Sequence, residues 1–435
     1  MVRIDPDLDV VLPQSVPSTP QAAFYESYRD AAGAQPAHAV ATGATAAMVA
    51  VVDTVGHNQG SMDYASAPRR LRHGLSIASM IRSIRCPKGD STCEAKILHT
   101  QAFPYQHPNP NPNPNGGVLG SQGALAQAIA GALLRWRTHH AGTRLVVNLS
   151  VAWDPSYNTL SKLPTDHMKM LDGNDKTVPV PVQAVHAAIA WGACEQALFV
   201  AAAGNHDGDP CGGTGTMVPA SWAVYQAPTA KQCTKYFGTP GSDALNGKGE
   251  LVYAVAGVDY HDQPISNSRA QSLPTRAAAG FMGTGRTGSG HTDNWTGTSV
   301  AAATLSGIAA RLWTEAPQLS PHELMVKIDG SGTDLNLTPD LRGYGSSATR
   351  VRKIQAYGAL AQNCGSNPGG CNPYRVPVAG RAWSGVSAAF QQQPLFAATG
   401  APPNALQCVS TEVECGGQTV ARTTCDEPAA RRRPR

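Results

Sequence analysis

From about residue 41 to residue 362, short apolar runs alternate with helix-period patterns, and this alternation narrows the possible folds more than any other feature of the chain. Ala47-Met48-Val49-Ala50-Val51-Val52 reads as a buried strand that stops on Asp53. Ile77, Met80, Ile81 and Ile84 then recur at helical spacing, which puts His73 at or just before the first turn of a helix. The same rhythm repeats. Strands are expected at Ala95–Leu98, Arg144–Ser150, Ala197–Ala203 and Leu251–Ala256. Helices are expected on Leu125, Ile129, Leu133 and Trp136, on Val182, Val185 and Ile189, and from Ser299 to Trp313. Ser320-Pro321-His322-Glu323 is a capping box with proline at the first helical position, and a last helix is expected over Val351–Ala361. Parallel strands need long crossovers, most simply helices, so the pattern predicts an α/β domain around a mainly parallel sheet.

Two flanking segments lack this rhythm. Residues 1–40 are rich in Pro, Ala and Asp and read as an irregular N-terminal arm. Beyond Gln362 the chain becomes turn-rich and carries five of the ten cysteines, so residues 363–435 are expected to form a small Cys-rich extension that depends on disulfides. The Pro-Asn alternation from Pro108 to Asn115 removes every second amide donor and is expected to be a surface loop.

Composition excludes several classes. No apolar run approaches the roughly 18 residues that a membrane-spanning helix requires. The 34 basic and 30 acidic residues leave a net charge of +4, much of it in the terminal Arg431-Arg432-Arg433-Pro434-Arg435, and aromatics are only 6%. A basic stripe with interleaved aromatics is therefore missing, and nucleic acid is not an expected partner. The even cysteine count, with close pairs such as Cys86 with Cys93 and Cys364 with Cys371, predicts disulfides and an oxidising, extracytoplasmic setting. No signal peptide is visible in the opening residues, which leaves a cytoplasmic location as the alternative.

The residues that carry chemistry sit at element junctions. In an open parallel sheet, reactive groups gather at the carboxyl ends of strands. Asp53 and Asn205 close strands, while His73 and Ser299 open helices, so all four are expected at one sheet edge. A nucleophile, a base, a group that orients the base and an oxyanion donor are what amide hydrolysis needs. His57 is a rival base close to Asp53, but only His73 is followed by glycine and an apolar helical face.

Five ordered motifs resemble those of the subtilisin-like serine proteases: Val51-Val52-Asp53-Thr54, His73-Gly74-Leu75, Val147-Asn148-Leu149-Ser150, Ala201-Ala202-Ala203-Gly204-Asn205 and Gly297-Thr298-Ser299-Val300-Ala301. The resemblance implies a three-layer subtilisin-like fold over residues 41–362. It also implies a serine endopeptidase with Ser299 as nucleophile, His73 as base, Asp53 as its partner and Asn205 in the oxyanion hole. Ser150, Val151, Ala152, Ala203 and Gly204 would bind substrate, and protein or peptide substrates would be the partners of a monomer. No cofactor is required. Calcium is frequent in the family, but Asp207 and Asp209 do not make a readable site, and no metal ligand is assigned. This chain departs from the family where Val151-Ala152-Trp153 replaces the usual glycine after the substrate-strand serine, and where Ala303 replaces a proline, so that the nucleophile helix is expected to start regularly. The alternatives are an acidic serine-carboxyl peptidase, which places glutamate where histidine would be, and a silent binding protein that keeps the fold.

Overall fold

The computed structural model describes residues 9–10, 46–62, 67–68, 71–85, 96–103, 105–106, 118–153, 166–172, 178–205, 216–239, 247–258, 276–284, 293–335, 351–354, 408–415 and 418–425. Its main sheet has eight strands: β1 (Met48–Asp53), β2 (Ile97–Gln101), β3 (Leu145–Leu149), β4 (Leu198–Ala202), β5 (Tyr253–Val258), β6 (Arg276–Ala279), β7 (Thr333–Asp334) and β8 (Arg352–Lys353). They lie in the order β7-β8-β6-β5-β4-β3-β1-β2. Every pairing is parallel except β7 with β8. Among the described residues six α-helices accompany them: α1 (Arg72–Arg85), α2 (Gln122–His139), α3 (Val180–Cys194), α4 (Ala230–Phe237), α5 (Thr298–Glu315) and α6 (Pro321–Ser331).

The central strands are buried on both faces, which is why they read as unbroken apolar runs. Met48, Ala50, Val52, Val147, Leu149, Phe199 and Ala201 share a core with Leu125, Ile129 and Leu133 of α2 and Val185 and Ile189 of α3. Asn148 points to the opposite face, where its side chain meets Ser306 of α5. Helices α1 and α5 pack together, and the chain is thus an α/β fold with a mainly parallel sheet.

Helix α5 is buried from Thr298 through Thr314, as expected of a helix enclosed on all sides, and it runs unbroken past Ala303. Two polar ties fix α1 against it, and a third fixes α1 to the residue before β1. Arg85 donates through Nη1 to the Ala47 carbonyl and through Nη2 to Thr314 Oγ1 at 3.3 Å, and Arg311 donates to the Ile84 carbonyl at 3.3 Å. The amide of Ala47 donates to the same Thr314 hydroxyl at 3.0 Å, so strand and both helices share one buried anchor.

Most expected elements recur with shifted ends. The run Ala95–Leu98 becomes β2 two residues later, and Leu251–Ala256 becomes β5 from Tyr253. The helix expected over Val351–Ala361 is corrected at its start: Arg352–Lys353 pairs in parallel with Arg276–Ala277, and the amide of Ile354 donates to the Ala277 carbonyl at 2.7 Å. Sheet pairing there satisfies the backbone and outweighs a local helical pattern. Residues 355–361, the Pro108–Asn115 loop, both close cysteine pairs, Asp207 and Asp209 lie outside the described residues. Asp9–Val10 of the N-terminal arm pairs antiparallel with Gly120–Ser121.

Among the described residues one disulfide, Cys194–Cys233, joins the end of α3 to α4 across 39 residues. Sequence proximity pointed to other pairs. Residues 208–213 and 374–435 form a second compact unit. Its described part is an antiparallel hairpin of Cys408–Cys415 with Gln418–Cys425.

Candidate active site

Asp53 ends β1 and is fully buried, and its two carboxylate oxygens lie 2.9 and 2.8 Å from His73 Nδ1. A carboxylate only accepts, so Nδ1 carries the proton and the lone pair of the neutral ring is on Nε2. The Thr54 amide adds a further hydrogen bond to Asp53 Oδ1 at 2.7 Å.

The helix start that presents His73 is held by Thr54. Its hydroxyl donates to the Leu71 carbonyl at 3.3 Å and accepts from the Gly74 amide at 3.1 Å. Gly74 has to be glycine for the approach to be this close. A Cβ there would lie 2.9 Å from Val55 Cγ2 and 3.1 Å from Asp53 Oδ1.

Ser299 opens α5 and is 1% exposed. The preceding residue is locked to the end of β4: Asn205 Oδ1 accepts from both the Thr298 amide and the Thr298 hydroxyl at 2.9 Å, and the Gly204 amide donates to that hydroxyl at 3.1 Å. Gly204 has φ +101°, a left-handed conformation that a side chain would strain, and a Cβ would strike Met217 Cγ at 2.4 Å. On the other side, Ser150 Oγ reaches Asn148 Oδ1 at 2.9 Å and the Ser299 carbonyl at 3.1 Å.

The residues expected to bind substrate are all buried. Ser150 turns its hydroxyl inward on Ser299, Ala203 bonds through its amide to Val255 and through its carbonyl to Met217, and the Gly204 amide is taken by Thr298. Trp153, which follows Val151 and Ala152, pairs with Val218 through both backbone groups. His57 sits exposed on a single 3-10 turn and has no part in the Asp53–His73 pair.

Thr54, Asn148 and Thr298 were not singled out from the sequence, although each is a polar residue within two positions of one that was. His99 of β2 was missed as well. It is 4% exposed, and neither ring nitrogen has a hydrogen-bond partner among the described residues. Burial, with the positive charge of Arg82 adding to it and Asp53 opposing it, pushes its pKa down to about 4. Among the described residues no three His, Cys, Asp or Glu side chains gather as metal ligands, and no helix is long and apolar enough to cross a membrane.

An acid–imidazole pair and a serine-led helix at the carboxyl edge of a parallel sheet are features of a hydrolase class of fold. The family model of the subtilases (Peptidase S8) matches residues 31–346, and the chain belongs to that family of serine proteases. Similar solved structures include the subtilase cytotoxin SubAB (17% identity, 79% of this chain and 97% of that one, TM-score 0.48). Others are MycP1 from Mycobacterium smegmatis (19%, 80% and 88%, 0.46) and a cold-adapted subtilisin-like serine proteinase (16%, 76% and 97%, 0.43). Among curated proteins none matches the sequence.

Proposed function

We propose that the protein is a serine endopeptidase that cleaves protein or peptide substrates through an acyl-enzyme. Ser299 Oγ attacks the scissile carbonyl carbon, and His73 Nε2 takes the hydroxyl proton and later gives it to the leaving amine. Asp53 keeps the His73 proton on Nδ1 and stabilises the imidazolium that forms. The Asn205 carboxamide and the Ser299 amide receive the oxyanion. Water then attacks the ester by the same relay and frees Ser299.

The observation that carries this reading is the buried Asp53–His73 pair, with both carboxylate oxygens within 2.9 Å of one ring nitrogen. A histidine in that place supports the Asp-His-Ser reading over the glutamate-using alternative. No step is routed through a metal or an organic cofactor, and the chain is taken to act as a monomer. The Cys194–Cys233 disulfide supports an extracytoplasmic setting.

Labelling with a fluorophosphonate probe, followed by mapping of the modified peptide, tests the assignment. Attachment to Ser299, abolished in Ser299→Ala and strongly slowed in His73→Ala, is expected. A protein that cleaves casein but is labelled elsewhere, or a Ser299→Ala variant with parental turnover, overturns it.

A further inference from the structure

Asn148 is the one polar residue in the strand Leu145-Val146-Val147-Asn148-Leu149, and it is fully buried. A carboxamide placed there costs stability unless it is fully hydrogen-bonded, so its partners matter. They are two hydroxyls. Asn148 Nδ2 donates to Ser306 Oγ at 3.0 Å, and Asn148 Oδ1 accepts from Ser150 Oγ at 2.9 Å. The same Ser150 hydroxyl lies 3.1 Å from the Ser299 carbonyl oxygen. A serine hydroxyl has one proton, so it cannot serve Asn148 Oδ1 and the Ser299 carbonyl together. The bridge is complete with the carboxamide turned, Ser306 donating to Asn148 Oδ1, Asn148 Nδ2 donating to Ser150 Oγ and Ser150 donating to the Ser299 carbonyl.

We propose that Asn148 is a positioning residue for Ser299, acting through Ser150 and anchored on Ser306. The proposal rests on Ser299 being the nucleophile. Ser299 and Ser306 belong to the same helix, seven residues apart, so the network grips α5 at two points roughly 10 Å apart along its axis. With one contact, rotation and sliding of this face against β3 would be resisted only by packing and by the ties at Thr298, Arg311 and Thr314. Two contacts through a strand residue oppose both motions. From the other flank, Asn205 holds Thr298 by its amide. The serine is therefore bracketed: the residue before it is tied to the end of β4, and its own carbonyl is tied to β3 through Ser150. Attack on a carbonyl depends on placement to well under an ångström, so loosening one flank should slow chemistry more than it weakens substrate binding.

The experiment uses the full chain and two variants. Asn148→Leu removes the bridge while keeping the branching and heavy-atom count of the side chain, and Ser306→Ala removes only the distant anchor while substituting the best helix former. Both are compared with the parent by the rate of fluorophosphonate labelling and by kcat and KM on a peptide substrate. Asn148→Leu is expected to lower kcat and the labelling rate by about tenfold with KM nearly unchanged, and Ser306→Ala to do the same to a smaller extent. Because Asn148 acts through Ser150, adding Ser150→Ala to Asn148→Leu should slow labelling hardly more than Ser150→Ala alone. If Asn148→Leu fails to fold, the Ser306→Ala comparison decides. A parent that is labelled at Ser299, with folded variants that react at the parental rate or with losses that multiply independently, overturns the proposal alone. A parent that is not labelled at Ser299 overturns the nucleophile assignment first.

Discussion

Asn205 turns its carboxamide oxygen toward Thr298, 2.9 Å from that residue's amide nitrogen and 2.9 Å from its hydroxyl. The amide of Thr298 can only donate, so the oxygen of Asn205 must face it and the NH2 group must face the other way. Docking on the residue before Ser299 thus sets the direction of the Asn205 NH2 group, the proposed oxyanion donor. Replacing Asn205 with alanine is expected to lower kcat by about 10²–10³ with little change in KM, the range known for loss of one such donor in subtilisin. Asn205→Asp keeps the hold on Thr298 but puts a negative charge beside the developing oxyanion, so its kcat should fall at least as far. Steady-state kinetics on a chromogenic peptide measure both, and an aspartate variant with parental kcat would refute the role.

Gly74 tests how tightly His73 must be seated. Alanine is the better helix former, so any loss in Gly74→Ala has to come from contact, not from propensity. The added Cβ would stand 2.9 Å from Val55 Cγ2 and 3.1 Å from both Asp53 Oδ1 and Thr54 Oγ1. Relief requires α1 to back away from β1, which lengthens the Asp53–His73 bond. A stability loss of about 1–3 kcal/mol is expected, together with a fall in kcat. Urea unfolding and kinetics on the same preparation check it, and a variant that gains stability while keeping full activity would contradict the packing described.

The candidate site was legible because its residues stand where periodicity changes. Asp53 ends an apolar run, His73 and Ser299 precede helical spacing, and Ser320 with Glu323 forms the capping box that the pattern implies. Strand β6 was not legible. Arg276-Ala277-Ala278-Ala279 carries no β-branched residue, and a buried arginine reads as a break. The strand exists because Ala277 pairs with Ala256 on one side and Lys353 on the other, and because Arg276 binds Glu250 and Asp329 at 2.7 and 2.9 Å. Those partners lie 26 and 53 residues away, beyond any local window. The same distance effect hid the Cys194–Cys233 bond and the reach of Asn148 to Ser306, 158 residues on.

The disulfide makes its own prediction. Closing a loop of this length removes unfolded-state entropy equivalent to about 4 kcal/mol in the chain-entropy account. Cys194 and Cys233 are both buried and pack against Phe237, so serine at both positions also places two hydroxyls in an apolar pocket. The double variant Cys194→Ser/Cys233→Ser should therefore unfold at clearly lower urea concentration than the oxidised parent, and a reducing agent should bring the parent toward the variant. Coincident unfolding curves for oxidised and reduced parent would show that the bond does not form in the native protein.

Acid should destabilise the fold through three buried histidines. Burial lowers the pKa of His167 and, well below the usual value, that of His186, where the neighbouring His167 adds to the effect. His99 is pushed down to about 4 by burial first, then by Arg82, with Asp53 opposing and His57 adding a little. In the unfolded chain each would titrate near 6.5, so below that pH the unfolded state binds more protons than the native state. The sign follows: stability is full above about pH 6.5, falls as pH drops, and for His99 stops falling near pH 4, where the native protein is protonated too. Over that window one such group contributes a slope of about 1.4 kcal/mol per pH unit, and His99 alone up to about 3 kcal/mol. His99→Leu removes the titration and two ring nitrogens that lack partners among the described residues, so it should keep its stability near pH 7. Unfolding free energies from pH 7 to 4.5 should then fall less steeply in the variant than in the parent, by close to one proton's slope. Parallel curves for the two proteins would mean that His99 is already protonated, or solvated, in the native state.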